Sequence, residues 1–347
     1  MRRCLTCLIA VSIVAISGGR ADAQDAVAQF YRGKQITVVV GSSAGGGYDI
    51  YARLLARHMS KYIPGNPVIV ATNMPGAAST AAAAHVYNTA PKDGTVIGAL
   101  QNTAIVDALL DEAKRARFDA SKFVYLGSAT TDHYICIARA DAPVKSFREL
   151  QERELVIGAS QPGTSTRDFP VLLNSLAGAK FRFVSGYPGT REITLAIEKG
   201  EVQGLCGFSW SSLAAQRPDW IKSGFIRVLI QEHDKGHPTI NAMGVPLAVE
   251  FAKSPENRQI LELFYSSEIF GRPYMMPPGM PADRVAALRA AFMETMRDKE
   301  LLAEAQKIGL DIDPISGEQL QVLAEKIYAT PAPIVAKARQ ALVYTAR

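Results

Sequence analysis

Four short turns hold the residues best suited to chemistry. They are Gly41-Ser42-Ser43-Ala44-Gly45-Gly46-Gly47, Asn73-Met74-Pro75-Gly76-Ala77-Ala78-Ser79-Thr80, Ala159-Ser160-Gln161-Pro162-Gly163-Thr164-Ser165-Thr166 and Gly186-Tyr187-Pro188-Gly189-Thr190. Each follows an apolar run and opens a helical pattern. A helix start leaves its first backbone N–H groups unpaired and carries a partial positive charge. Glycine there lets a ligand approach the backbone closely, and Ser or Thr adds hydroxyl donors. Such a turn is a ready anion site. Each glycine also has a plainer reading, that it only permits the turn. Four such turns in two pairs say more than one: facing each other, they can hold a carboxylate without a buried arginine.

Other residues have two readings each. Asp49 suits a helix cap or first-turn acid, and could also meet an amine. Arg167 and Arg191 open helices, where the dipole disfavours a cation, so either could be kept for a second carboxylate; Arg191 reads equally as a solvated helix residue. Trp210 could stack on a ligand or sit in the core. Gly41-Ser42-Ser43-Ala44-Gly45 matches the G-x-S-x-G elbow of serine hydrolases. Against that, Gly46-Gly47 prolong the turn, and no histidine stands in a base motif; His133 alone lies near a candidate hinge. The first turn lacks G-x-G-x-x-G, and no P-loop is present. His233 and His237 are four apart, but Gly236 and Pro238 make that stretch a loop. No catalytic residue, metal site or cofactor is expected.

The elements that position these turns read as strand, turn, helix, repeated four times. The strands are Ile36 to Val40, Val68 to Ala71, Glu154 to Gly158 and Phe181 to Val184. The helices run from Tyr48, then to about Thr89, Leu176 and Lys199. Strands alternating with helices give an α/β class with mainly parallel strands. A charged stretch from Asp111 to Phe118 separates the two pairs. Further helices start near Pro281-Ala282-Asp283 and at the capping box Ser316-Gly317-Glu318-Gln319.

The chain of 347 residues is long enough for two domains. It opens with Arg2 and Arg3, an uncharged apolar run from Leu5 to Ile16 and Ala21-Asp22-Ala23, the order of a secretory signal peptide cleaved after Ala23. The run is shorter than the roughly 20 residues of a spanning helix. The full chain has a net charge of +5, and loss of the leader leaves about +3. Basic residues are scattered rather than striped with aromatics, which argues against a nucleic-acid partner. Only Cys136 and Cys206 remain after the leader. Both lie in strand-like runs and read first as buried free thiols, with a disulfide as the alternative in an exported protein.

The chain resembles the substrate-binding proteins of tripartite tricarboxylate transporters, the TctC or Bug family. The residues that carry this are Tyr31 to Val40, Gly45-Gly46-Gly47-Tyr48-Asp49, Ala52 to Ala56, Asn73-Met74-Pro75-Gly76-Ala77, Pro91-Lys92-Asp93-Gly94-Thr95, Gly186 to Thr190, Gly200-Glu201-Val202 and Pro277 to Pro281. The resemblance implies a two-lobed, type II-like periplasmic clamp of two α/β domains with a hinge. Residues 24–131 with 233–347 would form the first lobe and 132–232 the second. It implies ligand contacts at Ser42, Ser43, Gly46, Asp49, Gly76, Ala78 and Ser79 from the first lobe, where Tyr48 between Gly46 and Asp49 is a further candidate. From the second it implies Thr164, Ser165, Tyr187, Gly189 and Thr190, and Arg167 and Trp210 are candidates there by their own residue types. The implied function is capture of a small organic carboxylate in the periplasm, by a monomer, for a permease of one large and one small membrane subunit; a clamp coupled to a membrane sensor kinase is the related alternative. The family pattern has Phe-Pro before the first glycines, Pro-Gly-Ala-Gly-Gly in the second loop and a histidine near position 167. Here Ser42-Ser43, Ala77-Ala78-Ser79 and Arg167 stand instead, which suggests a dicarboxylate or polar acid as ligand.

Overall fold

The computed structural model describes residues 18–111, 117–233 and 235–343, with side chains from Asp25 onward. The expected leader over residues 1–23 and most of the Asp111 to Phe118 stretch therefore lie outside the described side chains.

The strands sort into two sheets. The first contains β1 (Gln35–Val40), β2 (Val68–Asn73), β3 (Val96–Ala99), β4 (Val124–Ser128), β10 (Pro273–Met276) and β11 (Ile315–Ser316), in the order β11-β4-β10-β3-β1-β2. The second contains β5 (Tyr134–Arg139), β6 (Leu155–Ala159), β7 (Phe181–Ser185), β8 (Gly204–Ser209) and β9 (Ile226–Glu232), in the order β7-β6-β8-β5-β9. Each expected pair of units shares a sheet: β1 lies parallel to β2 and β3, and β6 parallel to β7 and β8. The sheets are mixed rather than mainly parallel, because β10 and β11 run against the first sheet and β5 runs against β8 and β9. Apolar β-branched side chains explain the central strands: Ile36, Val38 and Val40 are fully buried, and Val39 nearly so. Such a strand is covered on both faces.

Helices at the chain's end return to the first sheet. Ala282–Met296 and Gly317–Tyr328 pack on β4, and Lys299–Lys307 packs on the helix Gly47–His58. After β9 the chain stays against the second sheet and its helices before it returns to the first. The Gln231 amide donates to Pro246 O, and the Lys253 amide and Asn257 Nδ2 donate to Leu176 O. The helix Pro255–Tyr265 therefore packs on 173–177 of the second lobe before β10 enters the first sheet.

Cys136 and Cys206 form a disulfide between β5 and β8, with Cα atoms 3.9 Å apart. The free-thiol reading is thus corrected: adjacent antiparallel strands bring residues 70 positions apart into cross-strand contact. Beside the bond lies Glu232, wholly buried, whose carboxylate accepts from the Gly207 amide at 2.7 Å. Burial pushes this carboxyl from 4.5 up to about 8.

A buried ion pair joins the two lobes. Arg272, just before β10, pairs with Asp132 in the crossover between β4 and β5. Its Nη2 also donates to Ser209 Oγ at 2.9 Å and Ser212 Oγ at 3.0 Å in the second lobe. Ser209 Oγ donates in turn to Asp132 at 2.5 Å. The guanidinium lies over the rings of Tyr48 and Tyr51, at 4.4 and 5.1 Å from their centroids.

Two predictions follow from these buried groups. Asp132→Ala strands a buried guanidinium and should lower stability by about 3–5 kcal/mol in urea unfolding, whereas Asp132→Leu combined with Arg272→Met recovers most of the loss. For Glu232 the folded pKa lies above the unfolded one. Between 4.5 and about 8 the unfolded chain ionises this group first, so its contribution to stability falls as pH rises, by at most about 1.4 kcal/mol per pH unit. Glu232→Gln should flatten the pH dependence of unfolding across that window.

Candidate functional site

The turns after β1, β6 and β7 meet in one hollow between the lobes, enclosing about 420 Å³ with its open mouth. Three helices begin on its wall: Gly47–His58, Ser165–Leu172 and Thr190–Lys199, with N-caps Gly46, Thr164 and Gly189. None of the three starts has a side-chain cap. Some helices elsewhere are capped, by Ser146, Ser254, Asp298 and Ser316, while Thr103–Leu110, Ala282–Met296 and Ala332–Ala341 also lack a side-chain cap. Uncapped first-turn amides keep their donors and dipole charge available to an anion.

The hydroxyls differ in how committed they are. Ser42 Oγ and Ser43 Oγ are sealed from solvent, line the hollow and have no hydrogen-bond partner. Burying a hydroxyl unpaired is unfavourable, so these two await a partner. On the second lobe, Ser165 Oγ donates to Gly207 O at 2.8 Å and Thr164 Oγ1 donates to Gln161 O at 2.8 Å. Thr190 Oγ1 accepts from Gln216 Nε2 at 3.0 Å, which leaves its own proton for another acceptor. Tyr48 presents its ring to the hollow while its hydroxyl donates to Asn102 Oδ1 at 2.9 Å. Burial raises that phenol.

Close approach of the lobes needs missing side chains. A Cβ at Gly47 would stand 2.1 Å from Ser212 Oγ, and one at Gly189 would stand 2.5 Å from Ser43 Oγ.

Of the residues singled out in the sequence, Ser42, Ser43, Gly46, Tyr48, Thr164, Ser165, Gly189 and Thr190 line the hollow. The others lie off its wall, for identifiable reasons. Asp49 is 2 % exposed and accepts from the Gly45 amide, Arg53 Nε and Asn73 Nδ2 at 2.8–3.0 Å, so it braces the first loop. Burial would raise its carboxyl, but the bonds from Arg53, Gly45 and Asn73 together hold it below the usual range. Ser79 is buried, donates to Gly41 O at 2.8 Å and accepts from the Gln101 amide at 3.1 Å, tying the second loop to the first. Gly76 and Ala78 shape that loop's backbone, with φ of 141° and 53°. Arg167 stacks on Phe183, 4.5 Å from its centroid. The Tyr187 amide is tied to Ala159 O at 3.3 Å. Trp210 starts the helix Trp210–Gln216, its amide donating to His133 O, and its ring packs toward His237.

Gly47, Gln101, Ser160, Thr166 and Pro188 also line the hollow without having been singled out. Gln101 follows β3, whose short run Val96-Ile97-Gly98-Ala99 ahead of a helix at Thr103 was the available signal. Among the described residues, Ser43 Oγ has no hydrogen-bond partner that could activate it as a nucleophile. His133 packs on His233 and His237, at 4.5 and 5.0 Å between centroids.

No protein-family model matches the chain. A UPF0065 protein from Cupriavidus necator is 26% identical over 232 residues, covering 61% of this chain and 65% of that protein. A UPF0065 protein from Bordetella bronchiseptica is 32% identical over 206 residues, 57% of each chain. The matches thus span less than two thirds of those relatives' lengths. Among solved structures, the periplasmic binding protein BugD superposes with a TM-score of 0.70 at 20% identity, covering 89% of this chain and 98% of BugD. MatC from Rhodopseudomonas palustris, solved with malate, gives 0.66 at 22% over 89% and 99% of the two chains. Another R. palustris protein, solved with adipate, gives 0.68 at 21% over 88% and 97%. The fold is that of the TctC/Bug periplasmic binding proteins.

Among the described residues, three of the four non-glycine residues with positive φ lie in the second loop. Ala77, Ala78 and Ser79 all have positive φ, at 45°, 53° and 67°. Left-handed backbone costs a non-glycine residue about 1–2 kcal/mol. Ala77 is exposed, so Ala77→Gly loses little packing. Thermal unfolding should show a gain of about 0.5–1 kcal/mol for that variant.

Proposed function

We propose that this chain is a periplasmic solute-binding protein that captures a small organic carboxylate, in the range of dicarboxylates and polar acids, between its lobes and passes it to a tripartite tricarboxylate-type permease. One observation carries the reading. Two sealed, unpartnered serine hydroxyls and three uncapped helix starts face a single hollow. That donor set suits an anion and includes no nucleophile with a base beside it. The malate and adipate in two structural neighbours support an acid as ligand. The signal-like leader and the periplasmic neighbours support the location. The same reading makes residues 24–131 with the chain's end one lobe and 132–232 the core of the other. Closure of the lobes over ligand would complete the donor set.

A ligand that binds only the folded state raises the melting temperature by mass action. A thermal-shift screen of the leader-free protein against mono-, di- and tricarboxylates should find stabilising acids, and the absence of any shift would refute the reading. Ser43→Ala should weaken binding of the best acid by about tenfold through loss of a charge-assisted hydrogen bond. Ser43→Asp should abolish it by like-charge repulsion. Titration calorimetry measures both.

A further inference from the structure

The described wall of the hollow holds no basic side chain, yet a cation stands at its mouth. Arg191 is the second residue of the helix Thr190–Lys199, next to Thr190 on the wall. Its side chain reaches across the cleft to the first loop of the other lobe. A Cβ at Gly45 would stand 3.0 Å from Arg191 Nη1, 3.2 Å from Cδ and 3.4 Å from Cζ. Gly45 is held there by its amide bond to Asp49 Oδ2 at 2.8 Å, and Ser43 and Gly46 on either side line the hollow. Among the described residues, no carboxylate forms an ion pair with Arg191. By contrast, the other arginine that opens a second-lobe helix, Arg167, is engaged by the Phe183 ring.

A helix start is an unfavourable place for a cation, so one kept there and laid over the facing loop needs an anion to justify it. The helix amides and the Ser42 and Ser43 hydroxyls are enough for one carboxylate. A second carboxylate, pointing outward from the first, would meet the guanidinium, whose planar fork matches that group. We infer that Arg191 reads the second anionic group of the ligand from the mouth of the cleft, and so selects dicarboxylates over monocarboxylates of equal length. This rests on the carboxylate-binding reading above and narrows it.

The test is titration calorimetry of the leader-free wild type, Arg191→Gln and Arg191→Lys. The ligands are straight-chain dicarboxylates from succinate to suberate, each beside the monocarboxylate of the same length. Arg191 is exposed, so unchanged melting temperatures without ligand should show intact folding. The expected result is tighter binding of a dicarboxylate by the wild type, a loss of about tenfold in Arg191→Gln for that diacid alone, and partial retention in Arg191→Lys. Equal loss for both acids would make Arg191 a simple interlobe contact and overturn the inference, as would no loss at all. A wild type that prefers monocarboxylates overturns it while leaving carboxylate capture standing. A wild type that binds no member of either series overturns the functional reading and this inference with it.

Discussion

The Arg272–Asp132 pair fixes where the lobes meet. Both charges are almost fully buried, 2 % and 1 % exposed, and the two residues are 140 positions apart. Removing two charges from water is unfavourable enough that their attraction alone gives little net stability. What the pair supplies is position. The guanidinium binds Ser209 and Ser212 of the second lobe while its face covers Tyr48 and Tyr51 of the Gly47 helix. That helix start therefore cannot move relative to the second lobe without disturbing a desolvated charge. Gly47, packed against Ser212, allows the contact.

From this fixed corner the electrostatics of the hollow follow. Its wall is neutral in formal charge, built from glycine backbone, hydroxyls and helix ends. Oriented dipoles in a partly desolvated hollow can hold an anion without the desolvation penalty of a buried cation. Two of the singled-out polar residues stiffen this wall. Asp49 clamps the first loop through three donors, and Ser79 staples the second loop beneath it. The left-handed run Ala77-Ala78-Ser79 is the local conformational cost of that staple.

The sequence alone determined the strand–turn–helix units and the two-lobed α/β class. These depend on short-range patterns: apolar runs in β1, β2, β6 and β7, and glycine and hydroxyl residues at the turns between them and their helices. Eight of the residues it singled out line the hollow for the same reason, since a turn's position at the end of a strand is set locally. Tertiary structure alone decided the rest. Whether Ser79 and Asp49 face a ligand or brace a loop depends on which distant amides reach them. Whether Cys136 meets Cys206 depends on the order of strands in a sheet. Arg167 and Arg191 look alike in sequence, but one lies against Phe183 of its own lobe and the other spans the cleft. The partner of a side chain is a long-range property, and spacing along the chain carries no record of it.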